Sequence, residues 1–154
     1  MSYEPCLTCR TLAGEINPPG GIVYDDSLWV VFLAQRPIYV AGQGFIALKR
    51  HCEVIGELTD AEAVALGRLV RLTARAYERA MQPVRVHFGL YAESVKHLHL
   101  HITPRMAYMP AGNIPLTIIG RWYALLARLG LRKPVPDEQV ATLAGRLRTA
   151  FAER

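Results

Sequence analysis

His97-Leu98-His99-Leu100-His101-Ile102-Thr103-Pro104-Arg105 alternates strictly between imidazole and branched apolar side chains over its first six residues. In an extended strand successive side chains point to opposite faces, so His97, His99 and His101 share one face and Leu98, Leu100 and Ile102 the other. Rings on one face recur every ~6.5–7 Å. The apolar face anchors the strand in a core, which leaves the histidine face to line a cleft or hold a metal. Two chemistries suit such an array. Imidazoles can converge on one ion, or a neutral imidazole can attack phosphorus while its neighbours donate hydrogen bonds to phosphate oxygens. The strand segment is placed at 95–105, with its extended run from Val95 to Thr103 and Pro104 as the stop.

Working outward, Val84 to Leu90 reads as the preceding strand, and Gly44 to Leu48, Leu28 to Leu33 and Ile22 to Tyr24 as three more. Thr59-Asp60-Ala61-Glu62 has the spacing of a capping box, and Leu66, Leu69, Val70, Thr73 and Tyr77 follow a helical period behind it. That long helix should finish before Pro83. Residues 1–21 read as a loop or hairpin connection, and 105–115 as a loop. A C-terminal helical region, 116–153, holds one helix from Leu116 to Leu129 with Gly130 as its stop, and a last helix capped by Asp137. About five antiparallel strands with segregated helices make an α+β fold in a single domain, 1–154.

Composition narrows the class. The chain has 154 residues, half of them apolar and a fifth charged, which suits a globular protein able to build its own core. No apolar run reaches the ~18 residues of a membrane span, and the start lacks the pattern of a signal peptide. A cytoplasmic protein with no membrane partner is therefore expected. The net charge of +5 favours anionic partners, but no stretch is both basic and aromatic-interleaved, so no specific nucleic-acid binding is expected. Three cysteines in such a chain argue against a disulfide framework. Cys6-Leu7-Thr8-Cys9 could be a redox pair or half of a metal site. With no strand pattern before it, metal is favoured.

These features resemble the histidine-triad family, in which His-φ-His-φ-His-φ-φ is commonly followed by Pro-Arg. Further segments are similar in the same order: Cys6-x-x-Cys9 with Ala13-Gly14-Glu15-Ile16, Val23-Tyr24-Asp25-Asp26, Leu48-Lys49-Arg50-His51 and Glu57-Leu58-Thr59-Asp60. The resemblance implies a sheet carrying a long helix and a C-terminal helix, and a homodimer. It implies structural zinc on Cys6, Cys9, His51 and His97, which ties the N-terminal segment 1–21 to the histidine strand. It also implies His99 as nucleophile on a nucleoside 5′-phosphate derivative, with a nucleotidyl-histidine intermediate. His101 would donate to a phosphate oxygen, and Ser94 would contact the phosphate or leaving group. Glu93 and Ser94, with His99, His101, Phe32 and Ala34, are the substrate-binding set.

Two positions depart from the family pattern. Glu93 stands where many members have Gln, and Lys96, Arg105 or Lys49 could offset its charge. Ala34 stands where the family usually has an aspartate for the ribose hydroxyls, which removes a charge-assisted bond of about 1.5–3 kcal/mol. Gln35 could substitute. Two rival readings follow: a nucleotide-binding module with slow or no turnover, and a metalloenzyme with a catalytic metal on His97, His99 and His101.

Overall fold

The computed structural model describes residues 6–34, 37–91, 95–110 and 116–153. Its elements are α1 (Leu7–Leu12), β1 (Ile22–Asp25), β2 (Trp29–Leu33), β3 (Gly44–Leu48), a 3₁₀ turn (Ile55–Glu57), α2 (Asp60–Met81), β4 (Arg85–Leu90), β5 (His99–Arg105), α3 (Leu116–Arg128) and α4 (Asp137–Ala152). The strands form one sheet in the order β1-β2-β3-β5-β4, every pair antiparallel. The α+β expectation holds.

Period-two alternation divides the sheet into two faces. Trp29, Val31, Leu33, Ile46, Leu48, Leu98 and Ile102 enter one continuous core with Leu66, Leu69, Ala76 and Tyr77 of α2 and Val140, Ala144, Leu147 and Phe151 of α4. The intervening residues Val30, Phe32 and Ala47 form a second, smaller cluster joined by Phe45 and by Leu12 of α1. Register sets what stands beside the histidines on that second face: Ala47 pairs with His99 and Phe45 with His101. Close approach fixes Gly44, since a β-carbon there would lie 2.7 Å from the Phe32 carbonyl oxygen.

Helix α2 begins as its sequence dictates. The Thr59 hydroxyl accepts from Glu62 N at 3.3 Å, and the Glu62 carboxylate accepts from Thr59 N at 2.8 Å. Glu62 is buried, and Arg50 reaches it with Nε at 2.6 Å and Nη2 at 2.8 Å. This forked pairing is the first cause of a carboxyl pKa lowered to about 2. It also ties the helix entry to the residue next to His51. The helix ends at Met81, before Pro83, with Gln82 as a left-handed C-cap. Helix α3 closes with Gly130 N bonded to Ala127 O and Leu131 N to Leu126 O, a Schellman end around a glycine at φ 72°.

Four local expectations are corrected. Residues 7–12 are a helix rather than a loop or hairpin, because Cys6 and Cys9 span one helical turn. Strand β5 starts at His99 rather than Val95. His97 N bonds Val95 O in a tight turn and Leu98 N bonds Cys52 O, which diverts this stretch from the ladder. Pro104 does not end the strand, because β3 pairs only as far as Ile102 and Pro104 needs no donor on that side. The N-cap of α4 is Pro136, with Asp137 the first helical residue.

Thr59→Ala removes the acceptor at the α2 N-terminus and should cost about 1 kcal/mol. Thermal denaturation should show a Tm lowered by ~2–4 °C, and an unchanged Tm would deny the cap this role.

Candidate functional site

Helix α1 places Cys6 at its N-cap and Cys9 three residues on, so both thiols face the same way. They meet His97 and His51. Cys6 Sγ lies 3.3 Å and Cys9 Sγ 3.6 Å from His97 Nδ1, and Cys9 Sγ lies 3.4 Å from His51 Nδ1. The four ligand atoms all lie within 4.8 Å of one another. Tetrahedral zinc, with Zn–S of about 2.3 Å and Zn–N of about 2.0–2.1 Å, separates sulfur from nitrogen by roughly 3.5 Å. The donor set and its spacing therefore fit a closed Cys2His2 metal site.

Tautomers agree with this. His97 Nε2 donates to the Leu48 carbonyl at 2.8 Å, which leaves the Nδ1 lone pair toward the thiols. His97 is fully buried, and burial is the main cause of its lowered pKa. Cys9 is pushed up to about 11, first by burial and then by the adjacent Cys6 thiol. A cation at the centre would reverse that penalty. Cys52 stays out of the cluster, buried with its thiol on the Val54 carbonyl.

His99 is differently held. Its Nδ1 donates to the His97 carbonyl oxygen at 2.6 Å, so in the neutral tautomer the free lone pair is on Nε2. The ring borders a cavity of about 260 Å³ together with Leu7, Thr8 and Thr11 of α1, Phe32 and Ala34 of β2 and its end, Pro37, Gln43, Phe45 and Val95. Among the described residues, the lining of this cavity holds no Asp, Glu, Lys or Arg side chain. His101 lies 5.0 Å from the His99 ring, 4.9 Å from Phe45 and 5.2 Å from Tyr91, centroid to centroid. Burial, then the neighbouring His99 charge, lowers its pKa to about 4.

The three histidines therefore do not share one cleft: among them only His99 borders the cavity, His97 serves the metal cluster, and His101 is packed among rings. Nor do they form a joint metal site, for the one grouping of ligand side chains among the described residues is Cys6, Cys9, His51 and His97. Phe32 and Ala34 both line the cavity that His99 borders. Glu93, Ser94 and Gln35 lie outside the described residues. Lys49 is paired with Asp25. Sequence reasoning missed Thr8, Thr11, Gln43 and Phe45. Alternation along β3 carried a signal for Phe45, but a single helical turn carried none for the threonines.

A family model described as HIT domain matches residues 15–107. The chain belongs to the histidine-triad family. The matched stretch contains His51 and all three strand histidines but not Cys6 or Cys9. Solved structures with this fold include a histidine triad nucleotide-binding protein from Sulfolobus tokodaii, 19% identical, TM-score 0.72, covering 96% of this chain and 93% of that one. A HIT-like protein from Bartonella henselae, described as involved in cell-cycle regulation, is 18% identical with TM-score 0.70 over 95% and 96% of the two chains. A zinc-bound histidine triad family protein from Mycobacterium smegmatis is 17% identical with TM-score 0.69 over 99% and 96%. A comparison with curated proteins returns no match.

Cys9→Ser should drop the metal content well below one ion per chain by elemental analysis. At saturating metal, linkage of about 4 kcal/mol would be lost, or a Tm fall of roughly 10 °C. Full metal retention would remove Cys9 from the cluster.

The lowered pKa of His101 sets a second expectation. Between about 6.5 and about 4 the unfolded chain takes up a proton there that the folded chain does not, so stability falls as pH drops through that window. The slope of stability against pH should be shallower in His101→Gln by up to about one proton. Parallel slopes would place His101 in a solvated setting.

Proposed function

We propose that this histidine-triad protein is a nucleotidyl hydrolase or transferase, acting on nucleoside 5′-phosphate derivatives such as phosphoramidates, phosphoanhydrides or dinucleoside polyphosphates. One observation carries the reading: the bond from His99 Nδ1 to the His97 carbonyl, which in the neutral tautomer leaves the Nε2 lone pair free on the ring that borders the cavity. Membership of the family supports a nucleotide-directed activity of this class.

In the first step His99 Nε2 attacks the α-phosphorus in line, the P–N bond forms, and the bond to the leaving group breaks with its electron pair. The leaving group takes up a proton from solvent, which the attacking water of the second step gives back. In the second step water attacks the same phosphorus, the P–N bond breaks, and the nucleoside monophosphate departs as His99 becomes neutral again. Positioning and charge stabilisation do most of the work. The His97 carbonyl accepts the Nδ1 proton throughout and favours the cationic ring that alkylation-like bonding at Nε2 creates. His101, kept neutral by its surroundings at ordinary pH, is proposed to donate to a phosphate oxygen. Ser94 is proposed to contact phosphate or leaving group, with Glu93 beside it. Phe32 and Ala34 would border the nucleoside. The Cys2His2 cluster is proposed to hold zinc in a structural role. Pairing of two copies through sheet and helix is proposed on the family resemblance.

A second reading, a nucleotide-binding module with little turnover, draws on Ala34, whose methyl group offers the cavity no hydrogen bond. The same experiment separates the two. His99→Ala should lower turnover of adenylated and guanylated amidates and dinucleoside polyphosphates by at least about a thousandfold, with fold and metal content intact. Acid-labile labelled nucleotide should appear on wild-type His99 and vanish in the variant. Binding of AMP without any adduct in wild type would favour the binding module.

A further inference from the structure

Helix α1 does more than carry two metal ligands. Leu7, Thr8 and Thr11 form one wall of the cavity that His99 borders. The two threonines differ in what their hydroxyls have to do. Thr11 Oγ1 donates to the Leu7 carbonyl at 3.0 Å. Thr8 is only 7% exposed, yet its hydroxyl has no hydrogen-bond partner among the described residues. It is also not one of the sealed hydroxyls that lack a partner, Thr73 and Tyr77, so its oxygen keeps some access to solvent on a residue that lines the cavity. A nearly buried hydroxyl that borders an open cavity is incomplete without a ligand, because leaving such a group unpaired costs free energy that a ligand atom would recover.

The rest of the lining says what kind of atom. Phe32, Phe45, Pro37 and Leu7 supply apolar and aromatic surface, and Gln43 a neutral amide. Flat heteroaromatic rings are held in this manner, by packing against apolar and aromatic faces with hydrogen bonds to the ring edge. With no Asp, Glu, Lys or Arg among the described lining residues, discrimination of the ring edge falls to neutral donors and acceptors.

We infer that Thr8 is a specificity-determining residue that hydrogen-bonds the edge of the nucleotide base in the cavity beside His99. The inference rests on the nucleotide-directed reading above. Its position between Cys6 and Cys9 holds the hydroxyl on a helix turn fixed at both ends by thiol–imidazole contacts.

The test is equilibrium binding of AMP, GMP, CMP, UMP and ribose 5-phosphate to the full-length, metal-loaded protein by calorimetry. Thr8→Val keeps the shape and removes the hydroxyl. It should weaken at least one of the four nucleotides by about fivefold to tenfold while ribose 5-phosphate binds as to wild type. Thr8→Ser should stay within about twofold of wild type. Elemental analysis of each variant should give the wild-type metal content. Should Thr8→Val disturb the metal, Thr8→Ala against Thr8→Ser makes the same comparison. Unchanged binding of all four nucleotides overturns the inference and leaves the nucleotidyl reading standing. Equal weakening of ribose 5-phosphate also overturns it, since the hydroxyl would then contact sugar or phosphate. A wild-type protein that binds none of the five overturns both.

Discussion

Every polar atom of His97 is committed. Its N–H donates to Val95, its carbonyl accepts from His99 Nδ1, its Nε2 donates to Leu48, and its Nδ1 faces the two thiols. The residue is completely buried, so each of these groups would be costly to leave unpaired. Ring and backbone are thus fixed together. The ring sets where α1 can sit, and the carbonyl sets which nitrogen of His99 carries the bonded hydrogen. The Cys2His2 cluster and the tautomer of His99 are two consequences of one residue's hydrogen bonding.

That coupling matters because α1 is too short to persist by itself. A six-residue helix lies well below the length at which isolated helices form. What holds it is the apolar seat of Leu12 on the second face of the sheet and the contacts of Cys6 and Cys9 with two imidazoles. Since α1 is also a cavity wall, the cluster stabilises the shape of the cavity as well as the fold. A closed set of four protein ligands suits such a role, having no open position for a reacting water.

Much of this was legible in the sequence, and the limits have physical causes. Strict alternation over residues 97–102 announced the strand and its two faces, because a period of two survives any context. The α2 entry was legible because Thr59 and Glu62 satisfy each other locally. Tertiary events were not. The late start of β5 depends on Leu98 N reaching Cys52 O, and the tolerance of Pro104 depends on where β3 runs out. Nor did anything local say that Phe45 would pair with His101, since register between strands more than fifty residues apart is set by the whole sheet. One turn of helix at Cys6–Cys9 reads the same as a loop until its partners are in place.

The two imidazoles of β5 show how environment divides labour between identical side chains. His99 and His101 lie on the same face with rings 5.0 Å apart, so two positive charges there would repel strongly in a partly buried setting. The structure resolves this by making their surroundings unequal. His101 is packed edge-on against Phe45 and Tyr91 with its pKa depressed to about 4, whereas His99 has a carbonyl oxygen on Nδ1 ready to stabilise its cation. In the proposed mechanism, a ring that becomes cationic by bonding to phosphorus at Nε2 is in the same electrostatic position as one that gains a proton there. A carbonyl placed to favour one favours the other, and its distance of 2.6 Å puts it among the shorter hydrogen bonds of the protein.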